Sequence, residues 1–389
     1  MTILPQQPMI TAKRHMIVAG HYLATEAGAK ILEAGGNAID AGVAAGIALG
    51  VVHSDQVQFS GVAPMLIYLA EKDEVISIAG LGHWPKSANL SLFENQYNGT
   101  IPLGLLRTVV PAAPDAWITV LKNYGTMSFG EVASSAIKYA REGITVHPTM
   151  AKFLARYQEN YRMWPSNSNI WQKNGHPLEV GDLLIQTDLA ATIQFMADQE
   201  AAAMKDGREK GLQAARDAFY VGDIASKIVK YHKENGGLMT ADDMASYRTP
   251  IEKPLSISFR GTEVYSCRPW CQGPVLLQML NILNDIDLNA MGHNSADYIH
   301  YLAETIKLSF ADRERYYGDP NFIDVPIEKL LSSEFAKQRQ EQINPQKASP
   351  GMPPAGEIEG FGGISFRSVS YTHLRAHETR GNLVCRLLL

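Results

Sequence analysis

Cysteine is scarce in this sequence of 389 residues, which contains Cys267, Cys271 and Cys385 and no others. An odd number of cysteines in a chain that shows no export signal argues against a disulfide framework. Cys267 and Cys271 have a CxxxC spacing, but no second Cys or His pair stands at the spacing of a zinc site. We therefore expect two half-buried thiols beside Trp270 and no bound metal.

Long apolar runs are also missing. No window approaches the run of about 18 apolar residues that a membrane-spanning helix needs, since the stretch 41–52 is rich in Gly and Ala and ends at His53. The N-terminal sequence MTILPQQPMITAKRHMIVAG lacks the apolar core of a signal peptide, because Pro5 and Pro8 interrupt it. We expect a cytoplasmic protein without a membrane partner.

Nor does the sequence contain a run or stripe of basic residues. Lys and Arg number 35 against 40 Asp and Glu, which gives a formal net charge of -5. Proteins that bind nucleic acids carry a basic patch, so a nucleic-acid partner is excluded and a small-molecule partner is expected. The 46% of hydrophobic and 19% of charged residues are typical of a globular chain with a substantial core.

Capping patterns predict two early helices. Thr25 can cap a helix that runs to about Glu33, and Asn37 with Asp40 resembles the capping box of a second helix, AIDAGVAAGIALGVVH. This second helix has small residues on every face, which indicates close packing in the core. We therefore interpret Asp40 as a helix cap rather than a catalytic acid, and His53 as a satisfied core histidine.

Strands and further helices follow. APMLIYLA and DEVISIAG predict one pair of strands, and PLSISFR and TEVYSC predict a second pair that turns around Gly261. Helical patterns cover FGEVASSAIKYAREG and GLQAARDAFYVGDIASKIVKYHKENGG. The Pro- and Gly-rich residues 346–363 have no periodicity and predict an exposed connector.

The clearest helix follows Ser295 and stops near Gly318. A spacing of three to four predicts that one apolar stripe is buried: Ile299, Leu302, Ile306 and Phe310. Several charged residues lie in or after this helix, mostly off the stripe: Lys307, Asp312, Arg313 and Asp319. We interpret them as structural, either on a solvated face or in an ion pair, with Asp319 in a Gly-Asp-Pro turn.

Four segments resemble the large, N-terminal portion of the gamma-glutamyltranspeptidase family, in the family's order. They are residues 34–53, 124–147, 235–266 and 302–331, and they include AGGNAIDAGVAAGIALGVVH and LAETIKLSFADRERYYGDPNFIDVPIEKLL. The resemblance implies an α+β fold of the Ntn-hydrolase type, a four-layer αββα sandwich in which helices cover two stacked antiparallel sheets. In this chain the sandwich would be incomplete.

The resemblance also implies a precursor that cleaves itself. In that family the Thr exposed at the start of the small subunit is the nucleophile, and its freed α-amine can act as the adjacent base. Backbone N–H groups stabilise the oxyanion, so no cofactor is needed. The expected partners are a small-molecule amide substrate, such as a gamma-glutamyl compound, and the chain's own small subunit.

The tail of the sequence bears on that nucleophile. The one stretch similar to the family's Thr motif is SYTHL, which contains Thr372. However, residues 368–379 can be encoded by a transposase-end sequencing adapter and residues 382–389 by a flow-cell adapter, with an index-length gap between them. We therefore predict that residues 1–367 are the gamma-glutamyltranspeptidase-like region and that residues 368–389 are a translated adapter.

Without a nucleophile, the chain as it stands is predicted to be inactive and unable to process itself. We expect no catalytic residue in this chain, because the similarity of the stretch around Thr372 to the family's Thr motif is interpreted as accidental. A large-subunit region without its small subunit would also expose a surface that is normally covered, which favours aggregation.

The substrate is expected to differ from that of typical relatives. GLGHWPKSA, residues 80–88, stands where the family has an Arg that binds the glutamyl carboxylate, and neither His83 nor Trp84 can reproduce a guanidinium fork. RPWCQGP, residues 268–274, departs from the family pattern too. A divergent branch is implied, in which His83 or Arg107 is the candidate contact for an anionic group of the substrate.

Three functions stay open from the sequence. The first is a gamma-glutamyltransferase-like amide hydrolase or acyltransferase with a Thr nucleophile. The second is a non-glutamyl amidohydrolase of the same family. The third is a non-catalytic binding or scaffold protein that retains the architecture.

Overall fold

The computed structural model describes residues 10–361. The tail 368–389, with Thr372 and Cys385, lies outside the described residues, so its adapter origin stays a prediction. The described chain forms two compact units. The first comprises residues 10–63 and 80–249, and the second comprises residues 64–79 and 250–361.

Helices and short strands make up both units. In chain order the helices are α1 (Tyr22–Glu33), α2 (Ala38–Val52), α3 (Leu90–Tyr97), α4 (Ala113–Tyr124), α5 (Phe129–Glu142), α6 (Pro148–Arg156), α7 (Gln158–Arg162), α8 (Pro165–Trp171), α9 (Thr187–Ala203), α10 (Arg208–Tyr220), α11 (Asp223–Glu234), α12 (Ala241–Ser246), α13 (Gly273–Leu283), α14 (Leu288–Met291), α15 (Ala296–Tyr316), α16 (Ile327–Leu330) and α17 (Ser333–Gln340). The strands are β1 (Met65–Leu69), β2 (Glu74–Ile78), β3 (Ile144–Thr145), β4 (Gln172–Lys173), β5 (His176–Pro177), β6 (Leu183–Leu184), β7 (Ile251–Glu252), β8 (Leu255–Phe259) and β9 (Thr262–Ser266). Helices α1 to α12 and strands β3 to β6 belong to the first unit.

Helix α2 lies in the core of the first unit, where it contacts α1, α4 and α5. It begins with the predicted capping box, since Asn37 Oδ1 accepts a hydrogen bond from Asp40 N at 3.0 Å and Asp40 Oδ2 accepts one from Asn37 N at 2.9 Å. Asp40 also accepts hydrogen bonds from the backbone of Thr126 at 3.0 Å and Met127 at 3.2 Å. The interpretation of Asp40 as a helix cap is confirmed.

Two predicted helix boundaries were wrong. Helix α1 begins at Tyr22, upstream of Thr25, because His21 Nδ1 accepts a hydrogen bond from Leu23 N at 3.2 Å and so caps the helix. Thr25 Oγ1 instead accepts a hydrogen bond from the backbone of Ala19 at 3.1 Å. The long helical pattern in the middle of the sequence is two helices, α10 and α11, which meet at residues 221 and 222.

The second unit contains two antiparallel sheets. Strands β1, β2 and β7 form one sheet in that order, and β8 and β9 form a hairpin on which α13 packs. Both predicted strand pairs are confirmed, and Ile67 of β1 faces Ile76 of β2. The hairpin turns at Gly261, whose φ of 82° is a conformation that glycine adopts without strain.

Helix α15 buries a different face from the predicted one. Ile299 and Ile306 of the predicted stripe are 54% and 45% exposed. The buried residues are largely polar: Glu304, Thr305, Leu308, Ser309, Ala311, Asp312, Arg313 and Tyr316. The prediction was wrong because spacing identifies an apolar face, whereas polar side chains that find hydrogen-bonding partners can be buried instead.

A buried ion pair holds α15 in place. Asp312 Oδ2 lies 3.1 Å from Nε of Arg339 on α17, and both side chains are buried. Gln278 donates a hydrogen bond to Asp312, whose Oδ1 also accepts one from Gly356 N at 2.7 Å. Burial raises the pKa of Asp312 and lowers that of Arg339, so removing both charges from water is costly. An ion pair, one of the two expected roles, is present at Asp312, and its partner is Arg339.

The other charged residues of this region also have structural contacts. Lys307 Nζ donates a hydrogen bond to Ser349 O at 2.9 Å, and Arg313 Nη1 donates one to Gln272 Oε1 at 3.0 Å. Asp319 Oδ1 accepts a hydrogen bond from the backbone N–H two residues further on, at 2.9 Å, within the predicted turn. These contacts support the structural interpretation of all three side chains.

The predicted connector is mostly exposed but is anchored near its end. Tyr316 of α15 donates a hydrogen bond to Gly356 O at 2.8 Å, and Ile358 is buried. Residues 346–361 are therefore attached to the second unit rather than being a free linker. Within the described range, none of the helices combines the length and the apolar character that crossing a bilayer requires.

One buried histidine of the first unit makes stability depend on pH. Burial of His232, in the last turn of α11, lowers its pKa below 6.5. The unfolded chain gains this proton at a higher pH than the folded chain does, so the free energy of unfolding falls as the pH drops below about 6.5. We expect His232→Gln to make this decline shallower, by at most about 1.4 kcal/mol per pH unit.

Urea unfolding of the parent protein and of the His232→Gln variant, at about pH 7.5 and about pH 5.5, measures this effect. The exposed His176 offers a matched control, since His176→Gln should leave the decline unchanged. The same decline in the His232→Gln variant as in the parent protein would contradict the prediction.

Candidate functional site

The two candidate substrate contacts, His83 and Arg107, lie on adjoining segments of the first unit. Val110 N donates a hydrogen bond to His83 O at 2.9 Å, which joins the segment after β2 to the segment before α4. A Cβ atom at Gly82 would stand 1.9 Å from Val110 O, so only glycine permits this approach. This hydrogen bond therefore places the two segments that carry the predicted residues side by side.

His83 is exposed at this region. Its Nδ1 lies 3.2 Å from Trp84 O, and its ring centroid lies 5.3 Å from that of Tyr247. Tyr247 OH also donates a hydrogen bond to Leu81 O at 3.3 Å, which ties the segment to the residues after α12. An imidazole in this position could donate one hydrogen bond to a substrate, but it cannot form a fork.

Arg107 is half-buried at the end of a 3₁₀ turn, Leu105–Arg107. Its Nη2 donates a hydrogen bond to Ile101 O at 2.7 Å, and its Nε donates one to Pro102 O at 3.0 Å. These bonds close the loop 101–107 and use one edge of the guanidinium. A substrate carboxylate could still meet Nη1 without breaking them.

A buried polar network supports these segments, and sequence reasoning missed it. Arg216 of α10 pairs with Asp115 of α4 and donates a hydrogen bond to Tyr247 O, and both charged side chains are buried. Asp115 also accepts a hydrogen bond from Thr249 N at 2.7 Å. Burial raises the pKa of Tyr247 well above its usual range, so its hydroxyl stays a neutral donor. The network thus fixes the Tyr247 ring beside which His83 lies.

A second unpredicted cluster combines histidines with one carboxylate in the first unit. His53 Nδ1 lies 2.8 Å from Asp55 Oδ1, and the ligand-type atoms of His53, Asp55 and His147 all lie within 4.8 Å of one another. The ring of His21 lies 5.5 Å from that of His147. Burial lowers the pKa of His21 to about 4 and also lowers that of His147, so both rings are neutral at pH 7. His53 is thus hydrogen-bonded as expected, but in a cluster that no sequence spacing revealed.

The two thiols of the second unit are free and half-buried, as predicted. A hydrogen bond from the thiol of Cys271 lowers the pKa of Cys267 to about 7 and raises that of Cys271. Trp270 Nε1 donates a hydrogen bond to Glu252 Oε2 at 2.8 Å. The segment RPWCQGP also borders an open depression of about 390 Å³ beside Arg268.

The profile of the family described as Gamma-glutamyltranspeptidase matches residues 24–385. This range covers most of the sequence, so the chain belongs to the gamma-glutamyltranspeptidase family. The match extends into the tail, which includes Thr372.

Two individual relatives are similar in sequence along most of this chain. The glutathione hydrolase proenzyme of Escherichia coli (strain K12) is 33% identical over 381 residues, which are 96% of this chain and 62% of that protein. The acylase ACY 1 proenzyme of Pseudomonas sp. (strain V22) is 31% identical over 385 residues, 96% of this chain and 65% of that protein. The chain therefore spans less than two thirds of the length of these relatives.

The fold prediction is confirmed by a solved structure. The Helicobacter pylori gamma-glutamyltranspeptidase is 32% identical and superposes with a TM-score of 0.81, covering 89% of this chain and 97% of that one. The α+β fold of the Ntn-hydrolase type follows from this likeness. The predicted membership of an enzyme family is confirmed with it.

Proposed function

We propose that this chain is the large-subunit portion of a Thr-dependent amide hydrolase or acyltransferase. The observation that carries the proposal is the match to proenzymes along nearly the whole chain, combined with a span of 62% and 65% of two of them. Residues 10–361 contain no stretch of the Thr-Thr-His type. The nucleophile is then supplied by sequence that would follow residue 367 in the complete gene, and the 389-residue chain alone is inactive.

The substrate proposed is a small amide whose acyl part carries a carboxylate. Relatives are named as glutathione hydrolase and as acylase, so the family's acyl groups differ. Residues 80–88 contain no Arg, while Arg107 places a guanidinium on the adjoining segment. A gamma-glutamyl compound and another dicarboxylic monoamide both fit a carboxylate held by Arg107.

The proposed macromolecular partner is the chain's own small subunit. Leu66 and Tyr68 point to the same side of edge strand β1 and are 44% and 47% exposed. An edge strand with exposed apolar side chains invites pairing or cover. The exposed stripe on α15, with Ile299 and Ile306, is a second apolar surface of the same unit. Cover by the remaining third of the protein would account for both.

The activity is tested with two proteins, the 389-residue chain and the product of the complete gene. We expect the complete protein to cleave itself and to hydrolyse a gamma-glutamyl anilide or a dicarboxylic monoamide, and the 389-residue chain to do neither. A Thr372→Ala variant of the 389-residue chain is the control. If the 389-residue chain hydrolyses a substrate and its Thr372→Ala variant does not, Thr372 is the nucleophile and the proposal is overturned. A complete gene without a Thr that opens the small subunit would also overturn it.

The role of Arg107 is tested in the complete protein. Arg107→Lys keeps the charge but removes the fork, so we expect KM for an acyl group with a carboxylate to rise at least about tenfold. KM for the matching amide without that carboxylate should stay the same. Equal changes for both substrates would mean that Arg107 acts through closure of the loop 101–107 instead.

A further inference from the structure

We propose that His53, Asp55 and His147 form a binding site for a first-row divalent cation, with Zn²⁺ as the ion that fits them best. The three side chains come from the end of α2, the loop after it and the residue that caps α6. Their ligand-type atoms lie within 4.8 Å of one another, and the rings of His53 and His147 stand 5.0 Å apart at 81°. A metal there would join helix ends that are almost 100 residues apart in sequence.

The charge of Asp55 is the first reason for the proposal. The side chain of Asp55 is 0% exposed, and its hydrogen bonds within the described residues come from His53 at 2.8 Å and Gln56 at 3.2 Å. No Lys or Arg of residues 10–361 forms a salt bridge with it. A buried carboxylate is costly unless hydrogen bonds or a cation compensate it. A divalent cation bound to Asp55 would supply a positive charge at this position.

An unsatisfied histidine atom is the second reason. His147 Nε2 is buried and has no hydrogen-bond partner, whereas Nδ1 of the same ring accepts a hydrogen bond from Met150 N at 3.2 Å. Buried polar atoms without a partner are rare and need an explanation. Coordination through Nε2 satisfies this atom and moves the ring proton to Nδ1, at the expense of the long bond from Met150. The free energy of one capping hydrogen bond is small compared with the free energy of zinc binding by proteins.

The ligand types select the metal. Two imidazole nitrogens and one carboxylate oxygen are zinc ligands with bond lengths of about 2.0–2.2 Å, whereas Mg²⁺ and Ca²⁺ prefer oxygen ligands. His53 Nδ1 lies 2.8 Å from Asp55 Oδ1, so a cation held by both side chains would replace this hydrogen bond and take His53 Nδ1 as the ligand atom. Water or His21, whose ring lies 5.5 Å from His147, completes a tetrahedral set.

The proposal is tested with the untagged 389-residue chain, freed of metal by a chelator and titrated with Zn²⁺ against a chromogenic competitor. We expect one tight equivalent. His147→Asn keeps an oxygen that can cap α6 but removes the ligand, and Asp55→Asn removes the charge, so each should weaken binding at least about tenfold. The exposed His176→Asn is the matched control and should bind as the parent chain does.

X-ray absorption of the zinc-loaded parent chain tests the same site without any variant. We expect nitrogen and oxygen ligands at about 2.0 Å with outer-shell imidazole scattering and no sulfur at about 2.3 Å. A Cys267→Ser, Cys271→Ser double variant should still bind zinc. Sulfur ligation, absence of a tight equivalent, or unchanged affinity in folded His147→Asn and Asp55→Asn variants would each overturn the proposal.

Discussion

Replacing Asp312 with alanine is expected to lower the free energy of unfolding by about 3–5 kcal/mol, because it leaves the buried guanidinium of Arg339 without its counter-ion. Arg339 is 1% exposed, so water cannot replace the lost carboxylate. The substitution also removes the acceptor for Gly356 N, which Asp312 Oδ1 meets at 2.7 Å. The segment that follows α17 should therefore loosen together with α15. Urea unfolding followed by far-ultraviolet circular dichroism measures the change.

Asp297, an exposed carboxylate in the first turn of the same helix, offers a matched control. Asp297→Ala should cost less than about 1 kcal/mol, since it removes only a favourable interaction with the helix dipole. Asp312→Asn keeps an acceptor for Gly356 and should fall between the two. A loss for Asp312→Ala no larger than that of the control would mean that the pair with Arg339 does not hold α15.

Replacing Arg216 with methionine is also expected to lower the free energy of unfolding by about 3–5 kcal/mol. Methionine fills a similar volume but leaves the buried carboxylate of Asp115 without a cation. It also removes the hydrogen bond to Tyr247 O, so the ring beside His83 loses its support. Unfolding by urea gives the stability, and in the complete protein KM reports on the segment with His83.

An exposed pair provides the comparison for this prediction. Arg14 Nη2 lies 3.0 Å from Glu33 Oε1 with both side chains largely exposed, so Arg14→Met should cost no more than about 1 kcal/mol. The double variant Asp115→Asn, Arg216→Met should lose less than the sum of its single variants, because neither buried charge is then left alone. Strict additivity of the two substitutions would contradict a direct pairing of Asp115 with Arg216.

Local patterns in the sequence predicted fewer than half of the helices and strands that the structure describes: α1, α2, α5, α10 with α11, α15, β1, β2, β8 and β9. The capping box of Asn37 and Asp40, the strand pairs and the turn at Gly261 depend on residues close together in the chain, so short-range rules suffice for them. The start of α1 was misplaced because a histidine, His21, replaced the usual capping residue. A helix cap needs only a suitable acceptor, and imidazole nitrogen is not among the residues that such rules weigh.

The sequence by itself determined the family and the type of the helices and strands with clear patterns, while the contacts at His83 and Arg107 stay predictions. Only the tertiary structure decided which face of α15 is buried and which residues share a site. Asp312 and Arg339, Asp115 and Arg216, and His53 and His147 are 27, 101 and 94 residues apart in number. Pairings over such distances arise from how helices pack, and no periodicity in the chain encodes them.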